Sequence, residues 1–256
     1  MNNDRFSLVG RTALVTGGSK GLGKAVAKAF AQAGAEVFIS SRTEKELQTT
    51  AAEIAAVTAA RVEYGIADMT RREEVERLAE TAIQRMGKID ILVNNAGANI
   101  PQSIDRIRDE DWSYLVELNL TSCMALSRAL APGMMQRRWG RIIHVSSIMG
   151  LASTRGRSAY SATKSALFGL ARASAIDLAE YNITVNCLAP GPFATDLPVA
   201  VLTPEQWKAL AASTALNRFG DAGELEGPAL LLASDAGSYI TGSVLVVDGG
   251  AMAKAF

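Results

Sequence analysis

Cysteine and histidine are almost missing from this chain of 256 residues, which has two of the first, Cys123 and Cys187, and one of the second, His144. So few soft ligands, set so far apart, exclude a zinc cage or a disulfide framework and fit a reducing cytosol. Net charge is lacking as well. The 26 Lys and Arg balance the 26 Asp and Glu, so no electrostatic footprint draws the protein to nucleic acid or to an anionic membrane, and a small-molecule partner is expected. Apolar runs such as 229–233 fall far short of a membrane span. Met1 to Gly10 holds no apolar segment of the kind that directs export, so the expected location is cytoplasmic.

There is also no Pro/Ser-rich linker, no low-complexity tract and no repeat of fixed period, so one domain over 1–256 is expected. What is present is ordinary globular material, 48% hydrophobic and 20% charged. A chain of this length buries roughly three quarters of its unfolded surface without needing staples.

A short aliphatic run followed by a longer helical pattern recurs along the chain. Strands are expected at Thr12–Thr16, Glu36–Ser40, Val62–Ile66, Ile89–Asn94, Arg141–Ser146, Thr184–Leu188 and Val244–Val247. Helices are expected at Leu22–Ala33 with Gly34 as its stop, Glu44–Val57, Arg71–Met86, near Trp112–Arg137, Ser158–Glu180, Pro204–Ala212 and Glu224–Ala233, with an irregular stretch from Ala189 to about Thr203. The strands read as apolar on both faces. Seven such strands joined by helical crossovers predict a doubly wound parallel sheet with helices on both sides.

Between the first strand and the first helix stands Thr16-Gly17-Gly18-Ser19-Lys20-Gly21-Leu22-Gly23. Glycines there let backbone approach a pyrophosphate, and the free N–H groups of the helix start supply donors and partial positive charge. Gly17, Ser19, Lys20, Gly21, Leu22 and Gly23 are therefore cofactor-binding candidates. A tight strand-to-helix turn would use the same glycines. At the end of the second strand the chain reads Ser40-Ser41-Arg42, with no acid to hold the adenosine ribose hydroxyls. Arg42 can instead grip a 2′-phosphate, with Lys20 reaching it from the glycine loop and Ser41 beside it, which predicts NADP(H) over NAD(H). An Arg42 that only faces solvent is the alternative.

Gly17-x-Ser19-x-Gly21 also matches the nucleophile elbow of α/β-hydrolases. That rival reading needs His144 as general base and an acid between the two residues, although a histidine within a strand also serves as a packing residue.

Tyr160 and Lys164 lie four residues apart at the start of a helix, so their side chains leave the same face. Ser147 follows the end of a strand, at the edge of the sheet where ligands of such folds sit. A tyrosine is a sluggish acid at neutral pH, and an ammonium beside it favours the phenolate and makes proton transfer easier. A serine hydroxyl can donate to a substrate oxygen as charge develops there. The three together suit proton movement on a carbonyl or alcohol oxygen while a nicotinamide carries the hydride.

Thr16 to Gly23, Asn94-Asn95-Ala96-Gly97, Asn119, Ser147, Tyr160-x-x-x-Lys164, Pro190-Gly191 and Val247-Asp248-Gly249-Gly250, in this order and spacing, resemble the short-chain dehydrogenase/reductase family over nearly the whole chain. The resemblance implies a single Rossmann-type domain and an oxidoreductase using Tyr160 as proton donor in reduction and acceptor in oxidation. Lys164 would bind the nicotinamide ribose, Ser147 would orient the substrate oxygen, and Asn119 would hold a water that links Lys164 to solvent. Asp68, with Met69 beside it, would meet the adenine, and Asn95, Ala96 and Gly97 would lie along the adenosine ribose. Pro190, Gly191, Phe193 and Thr195 would cover the nicotinamide.

Asn99, Ser147, Ile148, Met149, Ser153 and Tyr160 are expected to line the substrate pocket. The long stretch 192–216, with Leu197, Pro198, Val201, Leu202, Pro204 and Trp207, is expected to form a lid. Within the family the chain looks most like 3-oxoacyl carrier protein reductases and gluconate or sugar-type dehydrogenases. Reductases that dock the carrier protein carry basic residues before two strands. Here Arg137 and Arg138 stand before the first, but Tyr181 and Asn182 before the second. A free ketone or hydroxy acid is thus as good a substrate class as a carrier-bound acyl chain. The family's dimer faces, around Trp112–Arg137 and Ser158–Glu180, imply a homotetramer. A non-catalytic protein that senses NADPH remains the alternative function.

Overall fold

The computed structural model describes residues 3–194 and 203–254. Nine strands are found among them: β1 Thr12–Thr16, β2 Glu36–Ser41, β3 Val62–Ile66, β4 Ile91–Asn94, β5 Gly140–Val145, β6 Ile183–Pro190, β7 Phe193–Ala194, β8 Gly220–Asp221 and β9 Val244–Val247. Seven of them form one all-parallel sheet in the order β3-β2-β1-β4-β5-β6-β9. The two remaining strands, β7 and β8, pair with each other in the stretch expected to be irregular. Every pair in the large sheet is parallel, so each connection must cross over it, and eight helices among the described residues do most of that work.

These helices are α1 Gly21–Gln32, α2 Glu44–Thr58, α3 Arg72–Met86, α4 Asp109–Val116, α5 Ser122–Arg137, α6 Ser158–Leu178, α7 Pro204–Ala212 and α8 Glu226–Ala233. Alternation along the strands splits the core in two. Leu14, Leu92, Ile142 and Val185 face a layer holding Val75, Leu78, Leu126, Leu130 and Leu167 of α3, α5 and α6. Ala13, Val15, Ile91, Val93 and Ile143 face Val26, Phe30, Leu47, Ile54 and Leu232 of α1, α2 and α8. Each fully buried Leu, Ile, Val or Phe contributes about 1.5–3 kcal/mol relative to exposure, so helices covering both faces of the sheet stabilise it.

Two expectations need correction. The strands are not all apolar and buried on both faces: β3 and β9 are half-buried, and Ile66 is 53% exposed. They are the outermost strands and have a neighbour on one side only. The helices expected near Trp112–Arg137 start earlier, at Asp109, and are joined by a wide turn at Glu117–Thr121, where bonding runs i to i+5.

The chain leaves β1 toward α1 and β2 on one side, while β4 adds on β1's other side. That reversal opens a crevice at the carboxyl ends of β1 and β4, where open α/β sheets bind ligands.

Candidate active site

The loop after β1 is held open by its neighbours. The Thr16 hydroxyl accepts from the backbone N–H groups of Asn95 and Ala96, both at 3.0 Å. The Asn95 amide in turn donates to the carbonyls of Thr16 at 2.8 Å and Gly17 at 3.1 Å. A Cβ on Gly23 would sit 2.3 Å from the Gly17 carbonyl oxygen, and Gly17 itself has φ +62°. No other residue fits either place without moving backbone. This cradle, at the start of α1 where no side chain caps the free N–H groups, fits a dinucleotide pyrophosphate.

Next to it is a cavity of about 250 Å³. Of the expected cofactor residues, Gly17, Ser19, Lys20, Ser41, Arg42, Asp68, Met69, Asn95, Ala96 and Gly97 all line it, while Gly21, Leu22 and Gly23 form the adjoining first turn of α1. Arg42 is exposed and makes no hydrogen bond or ion pair among the described residues. Burial pushes the Asp68 carboxyl up, but the N–H and hydroxyl of Thr70, at 2.9 and 2.8 Å, together with Arg42 and Arg71, outweigh it and hold the group below its ordinary value.

Ser147, Tyr160 and Lys164 come from β5's exit and the first turns of α6. Tyr160 is half-buried; Lys164 is buried, its Nζ donating to the Val145 carbonyl at 2.8 Å and lying 5.7 Å from the centre of the Tyr160 ring. The Ser146 hydroxyl donates to the Lys164 carbonyl at 2.8 Å, which ties the helix to the strand. Ser147 caps a short 3-10 turn, its hydroxyl accepting from Met149 N–H at 3.1 Å. A hydroxyl that accepts one bond keeps its own proton free to donate.

Asn119, on the wide turn, is fully buried. Its amide donates to the Ala98 carbonyl at 2.9 Å and to the Thr163 hydroxyl at 3.1 Å, and its oxygen accepts from Ala98 N–H at 2.9 Å. A Cβ on Gly97 would meet Asn119 Oδ1 at 3.1 Å and Lys164 Nζ at 3.3 Å. Gly97 lines the cavity, so the lysine ammonium lies behind one of its wall residues, while Asn119, Ser147, Tyr160 and Lys164 themselves do not line it.

The remaining candidates are spread more widely. Pro190 ends β6; a Cβ on Gly191 would lie 2.6 Å from Asp248 Cβ, so this turn packs directly on the Val247-Asp248-Gly249-Gly250 segment. Phe193 is buried in β7 and borders a second cavity of about 200 Å³ with Arg218 and Glu224. Asn99 has a buried amide oxygen with no partner among the described residues. Ile148 is buried and Met149 follows it in the turn that Ser147 caps, whereas Ser153 is exposed and bonded to the Ser161 hydroxyl at 2.8 Å. Thr195, Leu197, Pro198, Val201 and Leu202 lie outside the described residues. Pro204 starts α7, capped by Thr203, and Trp207 stacks on Phe219 with ring centres 3.9 Å apart.

The hydrolase reading fails here. Ser19 gives its proton to the Glu46 carboxylate at 3.0 Å, not to a histidine. His144 is fully buried within β5, two strands away from β1, and its Nδ1 accepts from the Asn94 amide at 3.1 Å. Burial and the Lys164 charge push its pKa down to about 4, so it is a neutral packing residue at physiological pH.

Residues 11–206 match the family model described as short chain dehydrogenase. The chain belongs to the short-chain dehydrogenase family. It is accordingly an oxidoreductase that uses a nicotinamide cofactor on a small-molecule substrate. This short-chain dehydrogenase is 37% identical over 252 residues to a 3-oxoacyl acyl-carrier-protein reductase of Vibrio cholerae, covering 96% of this chain and 98% of the relative. It superposes with TM-score 0.92, at 34% identity and 98% coverage of both chains, on a gluconate 5-dehydrogenase of Burkholderia cenocepacia in complex with NADP and tartrate. A 7α-hydroxysteroid dehydrogenase complexed with NADH and 7-oxo glycochenodeoxycholic acid gives TM-score 0.94 at 35% identity, covering 98% of this chain and 97% of that one.

Thr43, Glu46, Ala67, Ala98, Tyr114 and Leu118 of this dehydrogenase line the cavity beside the glycine loop without having been expected from the sequence. Tyr114 and Leu118 stand four residues apart just before Asn119, so a shared helical face was the signal available for them. Glu46 carried none, because its partner Ser19 is 27 residues away in sequence. No helix among the described residues is long and apolar enough to cross a membrane.

Proposed function

We propose that this enzyme interconverts a carbonyl and a secondary alcohol with NADP(H), Tyr160 giving its proton to the substrate oxygen in reduction and taking it back in oxidation. The observation that carries this reading is the placement of the Lys164 ammonium 5.7 Å from the centre of the Tyr160 ring and close against Gly97, which lines the cavity. There it can hold the nicotinamide ribose and offset the negative charge that develops as a proton leaves the phenol. The Ser147 hydroxyl, with its proton free, donates to the same substrate oxygen as negative charge grows. Asn119 fixes Ala98 and Thr163 around the lysine, and a water held there would return protons from solvent. When bound, the nicotinamide supplies or accepts the hydride at the substrate carbon.

NADP(H) over NAD(H) is supported by Arg42, exposed just past β2 and without a hydrogen bond or ion pair among the described residues, in a Ser40-Ser41-Arg42 stretch that carries no acid. Pro190, Gly191, Phe193 and Thr195 would cover the nicotinamide, the segment 192–216 would close over the substrate, and Asn99, Met149 and Ser153 would shape its pocket. For substrate class we favour a free ketone, hydroxy acid or sugar acid. Arg137, one of the two basic residues at the half-present docking patch, is tied to Asp90 at 3.2 Å and to the Ile89 carbonyl at 2.7 Å. Arg138 spends its guanidinium on the Glu180 carbonyl at 2.7 Å. A cytoplasmic homotetramer is the assembly that the family resemblance implies, and Trp112 on α4 and Ile176 on α6, 42% and 79% exposed, lie on the helices that would pair in it.

The test is a panel of ketones, 3-oxoacyl thioesters and keto sugar acids, followed by loss of NADPH absorbance. Turnover of free ketones or keto acids with NADPH is the expected result. Failure to oxidise cofactor with every member of the panel, alongside tight NADPH binding, would instead make the protein a sensor.

A further inference from the structure

Inside the cavity the carboxylate of Glu46 holds two of the donors that a 2′-phosphate would need. Its Oε2 accepts from the Ser19 hydroxyl at 3.0 Å and its Oε1 from Lys20 Nζ at 3.5 Å. Glu46 stands in the first turn of α2, four residues past Arg42, and all four residues line the same cavity. The loop carbonyl beneath it is fixed in turn, because Thr50 donates to the Ser19 carbonyl at 2.7 Å.

We propose that Glu46 is a specificity-determining residue that competes with the cofactor's 2′-phosphate, occupying its place on Ser19 and Lys20 and so restraining the preference for NADP(H). This rests on the NADP(H) reading above only in where it puts the phosphate. Ser19 has one hydroxyl proton, and while it goes to Glu46 it cannot go to a phosphate oxygen. A phosphate dianion arriving on Lys20 also meets the Glu46 carboxylate already paired with that lysine, and the like charges repel. The Glu46 and Lys20 side chains are 40% and 60% exposed, so their ion pair is weak and the carboxylate can be swung aside. The result is a site that tolerates both cofactors, with Arg42 pulling toward the phosphorylated one and Glu46 pulling away from it.

Glu46→Gln keeps the size and an acceptor for Ser19 while deleting the charge, so the loop keeps its brace. Calorimetric titration of wild type and variant with adenosine 2′,5′-bisphosphate and with 5′-AMP reads the effect without turnover. Glu46→Gln is expected to bind the bisphosphate about tenfold more tightly, the order for removing one like charge at a half-exposed site, with 5′-AMP unchanged and the gain shrinking as salt is raised. Unchanged bisphosphate affinity would overturn the proposal. So would a loss of 5′-AMP affinity, which would make Glu46 a ligand of the ribose. The two readings fail separately. If Arg42→Asp leaves the bisphosphate as tight as before, the NADP(H) reading falls, whereas a wild type that favours the bisphosphate through Arg42 but gains nothing from Glu46→Gln sinks this inference alone. Thermal melting of both variants without ligand shows that each is folded.

Discussion

Tyr160→Phe is expected to lower kcat for carbonyl reduction by about 10²- to 10⁴-fold, the usual contribution of a positioned general acid, with NADPH affinity and folding stability left intact. The hydroxyl that the change removes makes no hydrogen bond among the described residues; Tyr160 is bonded there through its main-chain carbonyl, which accepts from the Thr163 hydroxyl at 2.8 Å. Nothing structural depends on it. The ring stays, so the wall beside Lys164 is preserved, and the ammonium can still hold a ribose. A loss confined to the chemical step, with unchanged binding, is the signature of an interaction made only as the proton moves. Titration of NADPH fluorescence and single-turnover rates measure the two quantities separately. A variant that keeps near-normal turnover would remove Tyr160 from the mechanism.

Arg42→Asp is expected to reverse the cofactor preference. Losing the charge-assisted bonds of a guanidinium to a phosphate costs about 1.5–3 kcal/mol, and placing a carboxylate there adds repulsion. The value of kcat/KM for NADPH should therefore fall about a hundredfold. The new acid can accept from both ribose hydroxyls of NADH, whose kcat/KM should rise. Arg42 is exposed and pairs with nothing among the described residues, so stability should barely move. Its charge does act on Asp68, one of whose lowering influences it supplies, and the Asp68 carboxyl should titrate higher in the variant. Equal kcat/KM for NADH and NADPH in the wild type would discredit the assignment before any variant is made.

Much of this molecule was legible because local chemistry and global fold agree. The aliphatic runs that became β1, β2 and β4 to β6 are buried along nearly their whole length, and the glycine loop and Asn95 fell where the sheet reverses order. What stayed hidden depends on contacts far apart in sequence. The wide turn that carries Asn119 lies within the helical stretch near Trp112–Arg137, and the partners that Asn119 bonds, Ala98 and Thr163, are 21 and 44 residues away in sequence. The half-burial of β3 and β9 follows from strand order, which periodicity does not encode. Ser19 could be read as a nucleophile or a phosphate donor until its actual acceptor, Glu46, was located on α2.

A structure of the enzyme with NADP⁺ and a ketone or alcohol bound tests the central claim most directly. The Tyr160 hydroxyl should lie within about 2.6–3.2 Å of the substrate oxygen, one Lys164 donor should be on the nicotinamide ribose, and the nicotinamide ring should face the reacting carbon. A complex in which the phenol and the ammonium point into separate spaces, with the ring beyond reach of both, would contradict it.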